Sequence, residues 1–196
     1  MTALIAAFLI STNAPAAEVV ATCRSMVPSD VELTGRIVLR NRRGIAQAEY
    51  GYDLKRKGGD TDLKVSKDGK DVAFEKSGQI LGTDVTWSDI TLEYLWWDDF
   101  SYDAERQGES VHGQVCSVIV MKKGGRAVRV WIDRKYGALM QAEEMKDGKA
   151  VRKLWGTRLK KFGERWMANV MEVETVGSGH RTKITVEELK VEEKKE

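Results

Sequence analysis

Residues 31–40 read VELTGRIVLR. Val31, Leu33, Gly35, Ile37 and Leu39 fall on one side of a two-residue repeat, and Glu32, Thr34, Arg36 and Arg40 fall on the other. This is the pattern of a strand with one dry and one wet face. The same rhythm continues outward. NRRG (41–44) reads as a turn, IAQAEYGYDLK (45–55) as the returning strand, KGGD (57–60) as a turn, TDLKVS (61–66) as a third strand and KDGK (67–70) as a hairpin signal, and DVAFEK (71–76) is expected to close the block as a fourth. After residue 100 the strands resume as SYDAERQGESV, QVCSVIVMK, AVRVWID, ALMQAEEMK, AVRKLWGTRLKKF, RWMANVMEVET and RTKITVEEL, separated by glycine-bearing turns. Short strands with tight turns form an antiparallel meander, and the absence of strand–helix alternation argues against a parallel sheet.

Helix is scarce. AEVVATCRSM places Val19, Val20, Cys23 and Met26 at helical spacing, and VPSD ends that run. Between the two strand blocks, GTDVTWSDITLEYLWWDDF (82–100) collects three of the chain's six tryptophans, and SDITLEYL is expected to form a short helix capped near Ser88 or Asp89. Several later strands are apolar on both sides. Cys116, Val118 and Val120 oppose Ile119 and Met121, and Val128, Val130 and Ile132 oppose Trp131. A two-sided dry strand needs a cover on both faces. With so little helix to supply one, the expected fold is mainly β: an antiparallel, incomplete, half-open β-barrel with an N-terminal helix and a short central helical lid segment. Such a sheet leaves a hollow lined by side chains.

Composition narrows the function. The 196 residues carry a net charge of +2, with acidic and basic residues interleaved, so nucleic acid is not an expected partner. MTALIAAFLI (1–10) is uncharged and apolar, too short to cross a membrane, and is followed by Ala14-x-Ala16. This predicts a signal peptide over residues 1–16 and one domain over 17–196, although no cation precedes Arg24; a buried N-terminal helix is the other reading. VVATC before Cys23 is a poor lipid-attachment site because Thr22 does not suit it. In an exported chain Cys23 and Cys116 are candidates to pair as a disulfide, against the alternative that Cys116 is a buried free thiol.

No catalytic or metal constellation stands out. His112 and His180 are the only histidines, and no metal-ligand spacing, nucleophile elbow or phosphate-cradling loop accompanies them. Thr83, Asp84 and Asp89 read as turn and cap residues rather than an acid–base pair. VRKLWGTRLKKFGERW (151–166) reads as a strand with a wet cationic face, with contact to anionic lipid headgroups as the second reading; Arg152, Arg158 and Lys160 share strand parity, as do Leu154 and Phe162. No enzyme activity and no cofactor are expected.

Several stretches together resemble bacterial lipoprotein carriers of the LolA/LolB type. VWIDRKYGALMQAEEMKDGK (130–149) resembles their tryptophan–aspartate strand, turn and following strand. MVPSDVELTGRIVLR resembles the lead-in to their first strand, and ILGTDVTWSDITLEYLWW, VHGQVCSVIV, RWMANVMEVE and GHRTKITVEEL follow in the order of the LolA-like outer membrane lipoprotein-sorting proteins. The resemblance implies a periplasmic protein that binds acyl chains, on a lipoprotein or a free lipid, under a helical lid, touches a membrane surface transiently, and sorts lipoproteins to the outer membrane. An envelope-stress sensor or interaction module on the same half-barrel is the alternative function. The candidate lining or cover residues are Leu33, Ile37, Leu39, Phe74, Trp87, Trp96, Trp97, Val118, Val120, Val130 and Ile132. The resemblance also implies lid residues bonded to an arginine inside the barrel, but no arginine is assigned that role from the sequence.

Overall fold

The computed structural model describes residues 14–162 and 165–191. Most of the expected signal segment and the end of the charged tail lie outside the described residues. The chain divides into two compact units, one taking residues up to Val27 with Tyr94–Gly148, the other Pro28–Glu93 with the residues from Lys149 onward.

In the first unit, helix α1 (Ala16–Met26) buries Val19, Val20 and Cys23, as its spacing predicts. Strands β5 (Asp99–Tyr102), β7 (Gln114–Lys123), β8 (Arg126–Asp133) and β9 (Leu139–Lys146) pair antiparallel in that order, and β6 (Ser110–Val111) pairs with β7. The expected single strand over 101–111 is instead β5, a one-turn 3-10 helix over Ala104–Arg106, and β6. This irregular stretch supplies one of the covers that the two-sided strands require. Val118 stands opposite Trp131, and Val120 opposite Arg129, on one face of β7–β8. On that face the Arg129 Nε donates to Asp103 Oδ2 at 2.7 Å, the Trp131 Nε1 donates to Glu109 Oε2 at 2.9 Å, and Arg129 also reaches Glu143. The other face carries Ile119, Met121, Val130 and Ile132, all fully buried. Helix α1 lies there, with the Tyr102 hydroxyl donating to the Ala14 carbonyl at 2.6 Å and Arg24 lying over the Phe100 ring.

In the second unit the sheet order is β4 (Lys70–Asp71), β3 (Asp60–Lys67), β2 (Ala46–Lys57), β1 (Val31–Arg40), β12 (Arg181–Val191), β11 (Arg165–Thr175) and β10 (Lys149–Phe162). All the pairings are antiparallel. The strand expected over 71–76 shrinks to the two residues of β4: only Ser66 and Lys67 of β3 pair with it, and one further bond, Val72 N–H to the Val65 carbonyl, follows. At Gly35 a Cβ would sit 1.9 Å from the Thr185 carbonyl oxygen and 2.8 Å from the Tyr52 ring, so only glycine admits the bulge where β1 meets β12.

Candidate functional site

Register sets the inner face of the second unit. Ile37 stands opposite Tyr50 on β2 and Ile184 on β12, Gly35 opposite Tyr52, and Leu33 opposite Leu54. Val65 faces Tyr52, Met171 faces Ile184, and Val173 faces both Thr182 and Leu154. Of these, Ile37, Tyr52, Leu54, Val65, Val173 and Ile184 are at most 2% exposed. At about 1.5–3 kcal/mol per large apolar side chain, withdrawing this face from water is a principal stabilising term of the unit. Burial raises the pKa of the Tyr52 hydroxyl well above its usual range.

Residues 79–93 lie over this face. They comprise a 3-10 turn (Ile80–Gly82), helix α2 (Trp87–Thr91) and their connection, and they bury Ile80, Val85 and Ile90. Helix α2 starts at Thr86, whose N–H and hydroxyl both donate to Asp89 Oδ2, at 2.7 and 2.9 Å, and it stops at Leu92, which takes a left-handed φ of 53°. The segment is fixed to the sheet by polar bonds. Arg152 on β10 donates to Asp89 Oδ1 at 2.9 Å and to the Asp84 carbonyl at 3.2 Å. Asp84 takes the Thr182 hydroxyl at 2.9 Å and the Thr175 N–H at 3.1 Å, while its own N–H donates to Thr182 Oγ1. Tyr50 Oη donates to the Leu81 carbonyl, and Arg56 Nη2 to the Thr91 carbonyl. Burial lowers the pKa of Arg56.

Arg152 is the buried arginine that bonds this covering segment, and the sequence assigned no residue to that place. It is 8% exposed. The signal was present in its strand parity, since it stands two residues before the buried Leu154 and directly opposite Thr175, with the buried Val173 two residues further along. Reading it together with Arg158 and Lys160 as one wet cationic face is correct only for the latter two, which are exposed. Asp89, expected as a cap residue, completes the capping box of α2 with Thr86, whereas Asp84 bonds the ends of β11 and β12; both also receive this guanidinium, Asp84 through its backbone carbonyl.

The structure separates the residues proposed from sequence. Leu33, Ile37 and Leu39 share the inner face of β1, Ile37 fully buried and the other two half-buried. Phe74 and Trp87 are half-buried in the same unit; the Trp87 ring lies beneath Lys76, 5.5 Å from Nζ, and its indole N–H is buried without a hydrogen-bond acceptor. The other tryptophans of the central segment belong to the first unit, Trp97 buried beneath Arg126 and Trp96 exposed. Val118 and Val120 lie on the face of β7–β8 opposite to Val130 and Ile132, so these four cannot line one hollow. Cys23 and Cys116 are both buried free thiols. Burial pushes them up to about 12 and about 11, respectively. A groove of about 520 Å³ at the β7–β8 hairpin is lined by Gly124, Gly125 and Ala127 together with the charged Asp98, Asp99, Lys122, Lys123 and Arg126. Among the described residues no cluster of three or more His, Cys, Asp or Glu could hold a metal ion, and no helix is long and apolar enough to cross a membrane.

Comparison with solved structures identifies the architecture. A DUF1329 family protein from Desulfovibrio piger superposes with a TM-score of 0.67 at 15% identity, covering 93% of this chain and 95% of its own. A LolA superfamily protein from Nitrosomonas europaea gives 0.67 at 16%, covering 91% and 94%. A proposed outer membrane lipoprotein-sorting protein domain from Vibrio parahaemolyticus gives 0.64 at 16%, covering 91% and 93%. At these identities the likeness is one of fold, and it agrees with the resemblance read from the sequence. A search of the curated proteins finds no match. A family model described as "-like: Uncharacterized protein" matches residues 69–196, well over half of the chain. The chain therefore belongs to the family of that model, and its fold is the LolA-like one.

Proposed function

We propose that this protein is an exported, periplasmic carrier that takes up acyl chains, on a lipoprotein or a free lipid, and that residues 79–93 are its lid. The observation that carries this reading is the contrast between the dry inner face of the second unit and the polar bonds that hold its cover. Moving an acyl chain from a bilayer into water costs about 0.8 kcal/mol per CH₂, so a carrier must offer an apolar surface that can be opened and closed again. Ile37, Tyr52, Leu54, Val65, Val173 and Ile184 offer such a surface. A lid fixed by hydrogen bonds to Arg152, Arg56, Tyr50 and Thr182 can exchange those bonds for bonds to water when it lifts. The described structure is the lid-closed form, and an acyl chain would replace Ile80, Val85 and Ile90 against the sheet. No covalent step and no cofactor enter this scheme, so the reading is of a binding protein rather than an enzyme.

The test is direct. Lipid extracted from the purified protein is identified by mass spectrometry, and a fluorescent fatty acid is titrated in and displaced with palmitate. The reading predicts co-purifying acyl lipid or saturable, displaceable probe binding. Neither an acyl species nor probe binding would overturn it.

A further inference from the structure

The second unit carries a cationic edge that the carrier scheme does not use. Strand β1 runs beside β12 with Arg40 opposite Arg181, and this brings two turns remote in sequence, 41–45 and 176–180, side by side. Their contact is close, since a Cβ on Gly179 would meet Arg42 Nε at 2.0 Å. Both turns are internally fixed. Asn41 Oδ1 accepts the N–H groups of Arg43 and Ile45 at 2.9 and 3.1 Å, and Ser178 Oγ accepts the His180 N–H at 3.0 Å. Arg181 is engaged by Glu172 and Glu174, at 3.0 and 3.4 Å, and lies over the Trp155 ring. Arg42 and Arg43 are exposed, and among the described residues neither makes an ion pair. Two apolar side chains flank these cations, Ile45 at 56% exposed and Val176 at 48%. They sit at the ends of β2 and β11, three strand spacings or about 14 Å apart.

We propose that these paired turns are a docking edge for an anionic phospholipid bilayer. Guanidinium groups between exposed aliphatic side chains match the phosphate layer and the acyl boundary beneath it. The only aromatic ring in either turn is the exposed imidazole of His180, and neither turn offers the row of aromatic rings on which successive single-stranded bases stack. The position also has a mechanical consequence. Thr175 and Thr182, which bound the 176–180 turn, are the residues that hold Asp84 of the cover segment. A bilayer that engages the turn therefore acts on the strand ends to which the cover is bonded. The edge deepens the carrier reading by naming the face that meets the membrane, but vesicle binding does not require that an acyl chain be carried.

The experiment is co-sedimentation of the full chain with vesicles of mixed phosphatidylglycerol and phosphatidylcholine, and with vesicles of phosphatidylcholine alone. The chain should bind the anionic vesicles and not the neutral ones, less tightly as salt is raised. Each exposed arginine is worth roughly fivefold in affinity, so R42A/R43A should lose about 25-fold and R42K/R43K should bind nearly as wild type. I45S/V176S should also weaken binding. K160A/K161A, in the competing cationic stretch of β10, should leave it unchanged. Far-UV circular dichroism verifies that each variant is folded, and fatty-acid probe uptake is measured separately so that failure of docking is distinguished from failure of acyl binding. Equal binding to neutral vesicles, unchanged affinity of R42A/R43A, loss in K160A/K161A instead, or preference for an oligonucleotide over anionic vesicles would each overturn the proposal.

Discussion

Replacing Arg152 with Met tests the lid most sharply. The guanidinium donates to Asp89 Oδ1 and the Asp84 carbonyl, and Asp89 is only 5% exposed. Removing one partner of a buried ion pair costs about 3–5 kcal/mol, chiefly because the other charge is left buried. Here Asp89 keeps the N–H and hydroxyl of Thr86, which places the expected loss near the lower bound, about 3 kcal/mol. The loss falls on the bonds between cover and sheet, so it should lower the free energy of local opening and leave the β1–β12 pairing intact. Amide exchange across residues 79–93 should accelerate on the order of a hundredfold, while that of β1 and β12 stays at wild-type rates. D89N should be milder, and the R152M/D89N pair should show a coupling on the order of 2 kcal/mol in a double-mutant cycle. Hydrogen exchange read by mass spectrometry decides the matter. Equal acceleration everywhere would make Arg152 a general stability residue, and unchanged exchange over 79–93 would refute the latch.

Further outcomes follow from other contacts. G35A should destabilise the protein by about 3 kcal/mol or more in chemical denaturation, because its Cβ would meet the Thr185 carbonyl, which is backbone and cannot turn away. R129M should cost about 3 kcal/mol in the same measurement, since it removes the guanidinium that Asp103 and the buried Glu143 both receive. The thiols should resist a thiol-reactive dye until denaturant is added. Both have a folded pKa raised from 9.0, Cys23 to about 12 and Cys116 to about 11, so their contribution is complete below pH 9 and is lost as pH rises toward the folded values. Thermal stability should therefore fall above pH 9, and C23A/C116A should show a shallower fall.

Much of the fold was legible because a half-buried strand writes its two faces into the sequence. β1 forms over Val31–Arg40 with Val31, Gly35 and Ile37 of its apolar side buried, and the helical spacing of Val19, Val20 and Cys23 survives as α1. The failures have local causes. DVAFEK alternates as a strand would, but β3 offers it only Ser66 and Lys67 as ladder partners, a matter of tertiary pairing that no local pattern records. The stretch 101–111 reads as strand, whereas a 3-10 turn and the side chains of Asp103 and Glu109 cover one side of β7–β8 there. The two-sided apolarity of those strands thus reflects two covers, this segment and α1. The expectation of an inner face under a short helix belongs to the second unit, where Ile37 and its neighbours lie beneath residues 79–93. Arg152 escaped because a buried arginine and a surface one look alike in a basic strand; only its neighbours Leu154 and Val173 and the opposed cover carboxylate tell them apart.

The most direct test of where an acyl chain binds is a methyl NMR titration with a nitroxide-labelled stearic acid. The account predicts saturable broadening of Ile37, Val65, Val173 and Ile184 methyls, reversed by unlabelled palmitate, with Val130 and Ile132 of the first unit unaffected. Broadening confined to Val130 and Ile132, or only to exposed methyls such as Leu159, would contradict it.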